Sequence, residues 1–270
     1  MTRKRTVLML TLTAVCLSLL VATPGFAQEE AEKEGPRYPF FYLIKNTVDP
    51  GMMPQYRVAI GQILAAHNQH ENGNLWAAYT PLIGGPHSKF YYFLPMDNMG
   101  TMDSWTPNMQ VVTEALGAEA AGSVFQTINE AAEAWDMVLG YSEKLSRPPA
   151  DPGPAVPNYL WLIHFQVEPT KIGEFMALNE KFSEAHAAHE KGFNWSVYSN
   201  VIGGDGAQFW YFIPFEKMGD IDGWTSGQEI LVGHFGQDGA DAISTKLAEV
   251  SKSRSVILTW IPGMSRVPSE

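Results

Sequence analysis

Two short stretches of the chain share one frame of reactive side chains. The first is AAHNQHENGNLWAAY, Ala65 to Tyr79, and the second is EAHAAHEKGFNWSVY, Glu184 to Tyr198. In each, two histidines stand three residues apart and a glutamate follows the second. Gly, Trp and Tyr then come at three-residue intervals. Histidines at i and i+3 occupy neighbouring positions on a helix and can share one cation. His67 with His70, and His186 with His189, are therefore candidate metal ligands. Glu71 and Glu190 are the local third ligands, but each directly follows a histidine and projects about 100° away from it on a helix. No H-E-x-x-H spacing is present. Two copies also make two separate sites instead of one cluster. No metal or other cofactor is expected; a divalent metal is the alternative.

The favoured role for these histidines is structural, and it follows from the helices that carry them. At 100° per residue, Met53, Tyr56, Ile60 and Ile63 define one apolar face, and His67 falls at its centre. Ile172, Phe175, Asn179 and Phe182 define the matching face around His186. Both first histidines should lie buried beneath a helix and hydrogen-bonded, with Tyr79, Tyr198, Asp103 and Asp222 as the expected partners in a polar network. His70 and His189 sit in the last turn, where a donor or cation complements the helix carbonyls by about 0.3–1 kcal/mol.

The repeat extends far beyond the histidines. A shift of 119 residues superposes the chain on itself without a gap, with 22 identities over the 63 positions from Leu43 to Trp105. Ile83-Gly84-Gly85 meets Ile202-Gly203-Gly204, and Ser146-Arg147 meets Ser265-Arg266. This reads as an internal duplication about a Pro-rich linker. The expected boundaries are repeats at 38–147 and 158–268 with the linker at 148–157, where prolines cannot continue a helix or a sheet. In the second half, Tyr159 to Val167 reads as a strand. A helix follows from Glu168, with a proline in its first turn and Gly192 as its stop. Two strands flank a glycine hairpin at 193–215. Asp238 to Lys252 reads as helix, and RSVILTWIP as a last strand. Asp103 and Asp222 read as helix N-caps, with Trp105 and Trp224 as packing anchors. The order β-α-β-β-α-β is the ferredoxin-like arrangement, so the fold class is α+β.

A strand, a proline-led helix, Gly, a Trp-bearing strand, a glycine hairpin and an aromatic strand together resemble the dimeric α/β-barrel superfamily. That group includes antibiotic-biosynthesis-monooxygenase-like, NIPSNAP-like and EthD-like domains. The resemblance implies that the two halves pack sheet to sheet as an intrachain barrel. It also implies, as alternatives to simple ligand binding, a cofactor-independent oxygenase or a haem-dependent activity. A barrel hides the second face of each sheet and removes its edges.

In such a barrel the lumen is the natural ligand cavity. On the first strand of each half, the set Leu43, Lys45, Thr47 with Leu162, His164, Gln166 is the more polar parity and the better candidate for the lumen. Lys45 and His164 occupy matching positions. His164 is the best candidate for proton transfer, because imidazole titrates near neutral pH. Trp76, Trp195, Tyr92 and Tyr211 are further candidate walls for a flat apolar or aromatic ligand, although such residues are more often core. A third possibility is a structural or protein-interaction module.

Composition narrows the partners. The chain carries 29 acidic against 18 basic residues, a net charge of −11, which argues against nucleic acid and anionic membrane surfaces. Arg3, Lys4 and Arg5 precede an apolar run ending in small residues before Gln28. That pattern is a signal peptide cleaved near Ala27, so export to the periplasm or beyond is expected. A charged leader, 28–37, follows. The single cysteine, Cys16, falls within the apolar run, which leaves the mature chain without disulfides or thiolate chemistry. The expected partner is a small apolar or aromatic molecule, with a homo-oligomer possible. No phosphate loop or serine nucleophile elbow is present.

Overall fold

The described residues form eight strands and five α-helices. The first half runs β1 (Phe40–Val48), α1 (Met53–Gln69), β2 (Ala77–Ile83), β3 (Lys89–Met96), α2 (Asn108–Leu116), α3 (Ala118–Ala131) and β4 (Ala132–Tyr141). The second runs β5 (Tyr159–Val167), α4 (Ile172–Ala187), β6 (Ser196–Gly203), β7 (Ala207–Phe215), α5 (Gly227–Val250) and β8 (Ser251–Trp260). This is a computed structural model that describes residues 38–149, 156–189 and 193–267. The expected signal peptide, the leader, most of the linker, Glu190 and Gly192 lie outside the described residues.

Local chemistry accounts for the element ends. Pro50 and Pro169 each open a short 3-10 turn that leads into α1 and α4, since proline suits a helix start where its missing N–H costs nothing. Ser226 caps α5: its Oγ accepts from the Glu229 N–H, and the Glu229 carboxylate accepts from the Ser226 N–H in return. A positive φ at Gly117 (84°) separates α2 from α3, and the same conformation at Gly236 (75°) kinks α5. These two glycines are 119 residues apart, so the second helical stretch of both halves breaks at one equivalent position. A β-carbon would strain either break.

Two sequence expectations are corrected here. The helix expected at Asp238–Lys252 starts at Gly227, because Ser226 and Glu229 supply the cap. Asp103 and Asp222 are not caps of α2 and α5; they lie exposed in the 3-10 turns Met99–Ser104 and Met218–Gly223. Their tryptophans do act as anchors, with Trp105 against Tyr42 and Trp224 stacked on Trp161.

The strands close into a barrel in the order β1-β3-β2-β8-β5-β7-β6-β4, with every pairing antiparallel. Each half contributes four neighbouring strands with its own central pair, β1 and β3 or β5 and β7. The halves meet where β2 pairs β8 and where β4 pairs β6. The alternation of side chains then makes three cores. One lies between the first sheet and α1–α3, around Tyr56, Phe90 and Val112. A second lies between the other sheet and α4–α5, around Phe175, Trp195 and Ile230. The third fills the lumen with Leu43, Phe93, Met137, Leu162, Phe212 and Leu258. Leu43 and Leu162 thus face inward, as the polar-parity argument requires.

The halves also exchange contacts outside the sheet. Trp76 of the first half donates its indole N–H to the Met264 carbonyl (2.7 Å), and Trp195 of the second donates to the Leu145 carbonyl (2.7 Å). Backbone bridges join Trp76 to Arg266 and Trp195 to Arg147. At one barrel end the Tyr79 hydroxyl donates to the Pro157 carbonyl and the Tyr198 hydroxyl to the Tyr38 carbonyl.

Candidate functional site

The two first histidines are where the helical wheel places them, and both are fully buried at 0 % exposure. Their surroundings differ. His67 stands edge-on to Trp76, and its Nδ1 accepts from the Asn74 N–H (3.1 Å). His186 is enclosed by Phe182, Phe193 and Trp195, with ring centroids 4.5–5.0 Å away. Among the described residues neither of its ring nitrogens has a hydrogen-bond partner, whereas His67 lacks one only at Nε2. Burial pushes both imidazoles down to about 4. For His186, Arg147 and His189 add to the shift. For His67, the Asn108 side chain opposes it, while Arg266 and His70 add. Both rings are therefore uncharged at neutral pH, each with one N–H to give and one lone pair to accept.

The expected partnership with tyrosines and aspartates does not form. Tyr79 and Tyr198 point into the lumen and bond to the backbone carbonyls of Pro157, at the end of the linker, and of Tyr38 in the first half. Asp103 and Asp222 are exposed. The cause is strand parity: a residue three beyond Trp76 or Trp195 falls on the opposite face of the strand from the tryptophan.

Beside His186 the second half opens a cleft of about 420 Å³, within the usual range for small-molecule sites. Phe165 from β5, Phe182 from α4, and Leu231, Ile243 and Leu247 from α5 form its apolar walls. Gly227, Gln228, Ser244, Ala248, Ser251 and Ser253 complete the lining. Gln228 and Ser244 satisfy one another (2.8 Å), and Ser251 bonds to the Leu247 carbonyl. None of the lining side chains is charged. The position of Gly227 matters. A β-carbon there would lie 2.8 Å from the Phe182 ring and 4.0 Å from His186 Nε2. The residue at the equivalent position of the first half is Asn108, whose side chain stands close to His67, although His67 Nε2 has no hydrogen-bond partner among the described residues. Sequence reading missed the cleft, because its walls come from β5, α4 and both ends of α5. The available signal was the Asn108/Gly227 difference in the 119-residue register.

The remaining expected site residues divide into two groups. Trp76, Trp195, Tyr92 and Tyr211 all lie in the helix-side cores and not in the lumen. Tyr92 bonds to the Tyr56 hydroxyl (2.8 Å), which accepts from Asn46 (2.7 Å). The Tyr211 hydroxyl donates to Asn179 (2.6 Å). Lys45 and His164 both face inward at the other barrel end, close enough for Lys45 to act on the imidazole electrostatically. The His164 ring stacks on Trp210 at 4.1 Å, and its Nε2 bonds to Gln208 Oε1 (3.0 Å). Burial lowers it to about 4, with Lys45 and Arg254 contributing after the opposing Gln208 bond.

His70 behaves differently from the expectation at the helix end. The His70 ring bonds Glu114 (3.2 Å) and accepts from the Asn72 N–H, so it turns towards α2. The backbone N–H groups of His70 and His189 bond back to the His67 and His186 carbonyls. His67 and His70 therefore point to different partners and do not share a cation site. Among the described residues no three His, Cys, Asp or Glu side chains converge as a metal site.

Haem, the other alternative, can be tested on two imidazoles. His186 has the free nitrogen an axial ligand needs. Its ring face is covered by Phe182, however, and no cationic side chain lines the cleft to hold propionates. The Nε2 of His164 is bound to Gln208, and its face is stacked on Trp210. These residues do not fit a haem.

A scan against protein-family models finds no match, and a search of curated proteins finds none. Solved structures do resemble the chain. An anthrone oxidase-like protein aligns over 83 % of this chain and 92 % of its own, at 12 % identity and a TM-score of 0.52. A chlorite dismutase from Candidatus Nitrospira defluvii, in complex with cyanide, aligns over 87 % and 97 % at 9 % identity and a TM-score of 0.47. A candidate monooxygenase from Lactobacillus acidophilus aligns over 86 % and 100 % at 14 % identity and 0.42. The first of these, with the closed antiparallel barrel, shows the fold. The chain has the dimeric α/β-barrel fold.

Proposed function

We propose that this chain is an exported, internally duplicated barrel protein that binds a small apolar or aromatic molecule in the second-half cleft and oxidises it with molecular oxygen. The two ferredoxin-like halves are read as products of duplication, on the 119-residue register. Export rests on the N-terminal pattern alone. The observation that carries the proposal is His186: fully buried, unpaired at both ring nitrogens among the described residues, and behind Phe182 and Gly227 of a 420 Å³ uncharged cleft. Leaving two polar atoms buried and unsatisfied costs about 1–3 kcal/mol, a cost that a bound hydroxyl or carbonyl group removes. The barrel lumen, favoured from the sequence as the pocket, is filled along its middle by aromatic and aliphatic side chains.

The chemistry is that of a base in a dry site. Neutral His186 takes the acidic proton of an activated phenol or ring C–H. The resulting electron-rich anion reduces oxygen; one oxygen atom is retained as a carbonyl and the other leaves as water. The imidazolium and the anion form a pair whose attraction, in a site that excludes water, offsets the burial that keeps the free imidazole neutral. Phe182 packs on the imidazole ring, so ligand entry requires its side chain to turn. The class of reaction is an analogy to the anthrone oxidase-like relative in fold.

The test is aerobic incubation with anthrone, following oxygen uptake and quinone absorbance. The expected result is turnover that falls at least tenfold in His186→Leu with the fold intact. Equal turnover in that variant overturns the base role. Saturable binding without turnover leaves a binding protein in place of an enzyme.

A further inference from the structure

The barrel end at Lys45 and His164 holds a second arrangement that the cleft does not use. Strand register sets six side chains at one level facing inward: Lys45, Tyr91 and Trp135 from the first half, and His164, Trp210 and Arg254 from the second. Exposure decreases from the rim inwards. Arg254 is exposed, Lys45, Trp135 and His164 are half-buried, and Trp210 is 3 % exposed. Lys45 Nζ stands 4.3 Å over the Trp135 ring. The Trp210 indole N–H is buried without an acceptor, although it lies beside the His164–Gln208 pair.

Charge makes this end unusual for the molecule. The chain as a whole is acidic, at −11. On this inward level and the one above it, Lys45, Lys89, Lys252 and Arg254 face a single carboxylate, Glu133. None of the four cations forms an ion pair among the described residues. Lys45 is lowered by burial and then by Lys89 and Arg254, with Glu133 opposing, so the cations repel one another across the mouth.

We propose that the barrel mouth is a binding site for a small aromatic carboxylate. The carboxylate sits between Lys45 and Arg254, and the ring lies against Trp135 and Trp210, whose free N–H supplies a donor. Cations unpaired near apolar walls hold anions more strongly than exposed ones, and aromatic walls select a planar body. The site is separate from the His186 cleft and does not depend on the reaction proposed for it.

The probe is benzoate, titrated calorimetrically into the full chain, with benzamide and inorganic phosphate as comparisons. Saturable benzoate binding is expected, at least tenfold tighter than benzamide or phosphate and weakened by salt. Lys45→Met and Arg254→Gln should each reduce affinity about tenfold, while His186→Leu should leave it unchanged. Arg254 is exposed, so its variant tests the site even where Lys45→Met disturbs the fold. Absence of saturable heat overturns the proposal. Phosphate binding as tightly as benzoate removes the role of the aromatic walls. Loss of binding in His186→Leu alone moves the ligand to the cleft.

Discussion

The two halves of this barrel bury the same histidine under the same helix turn and partner it to different extents. In the first, Asn74 donates to His67 and the Asn108 side chain stands close to it. In the second, Gly227 takes the place of Asn108, a cleft opens, and His186 is left without a partner. The buried tyrosines show a similar divergence. Tyr92 is held by a relay through Tyr56 to Asn46, while Tyr211 is held by one residue, Asn179, on the facing helix. Equal topology therefore does not fix equal polar accounting. The first imidazole keeps one backbone partner, at Nδ1, and lacks one at Nε2; the second has none among the described residues and lies near a cleft, and that difference directs function to the second half.

The largest expected effect is on pH dependence, where the halves act together. His67, His164 and His186 each have a folded pKa of about 4 against about 6.5 unfolded. Between those values the unfolded chain binds more protons, so stability is fully present above about pH 6.5 and is lost as pH falls towards 4. At pH 5 unfolding should take up roughly two to three protons from these groups, measurable from the pH dependence of urea midpoints. Removing His67 or His186 should each reduce that uptake by about one proton. An unchanged slope in either variant breaks the claim that its imidazole is neutral.

Stability at neutral pH separates the halves more sharply. His67→Leu strands the Asn74 N–H and should cost about 1–3 kcal/mol. His186→Leu removes two unsatisfied polar atoms and should be neutral within about 1 kcal/mol, or stabilising. Equal losses by urea denaturation would mean that the two sites are alike after all. The smallest contrast lies at the next helix start. Ser226→Ala deletes the cap of α5 and should cost about 1 kcal/mol. Pro107→Ala, at the uncapped start of α2, should cost less, as thermal melts can compare.

Much of this architecture was legible in the sequence, for identifiable reasons. The β5 strand could be read off residue by residue, because a dense apolar run bounded by turn residues has few alternatives. The inward parity of Leu43 and Leu162 followed from alternation alone. The burial of His67 and His186 followed from helical period. The cleft was not legible, since Phe165, Phe182 and Ile243 meet only after three elements pack. Nor were the roles of Trp76 and Trp195, whose hydrogen-bond acceptors lie 188 and 50 residues away. Tyr92 and Tyr211 were misplaced because an aromatic strand, buried on both faces, shows no polar alternation to mark its inner side.

The exchanged tryptophan and tyrosine contacts have a consequence for assembly. A barrel made from two separate chains opens when diluted below its dissociation constant. Here Trp76 and Trp195 each reach a carbonyl of the other half, and both halves belong to one polypeptide. Each half meets its partner at an effective concentration set by the tether between them and independent of how much protein is present. Closure of the barrel becomes a first-order event, so the cleft beside His186 stays formed at any dilution.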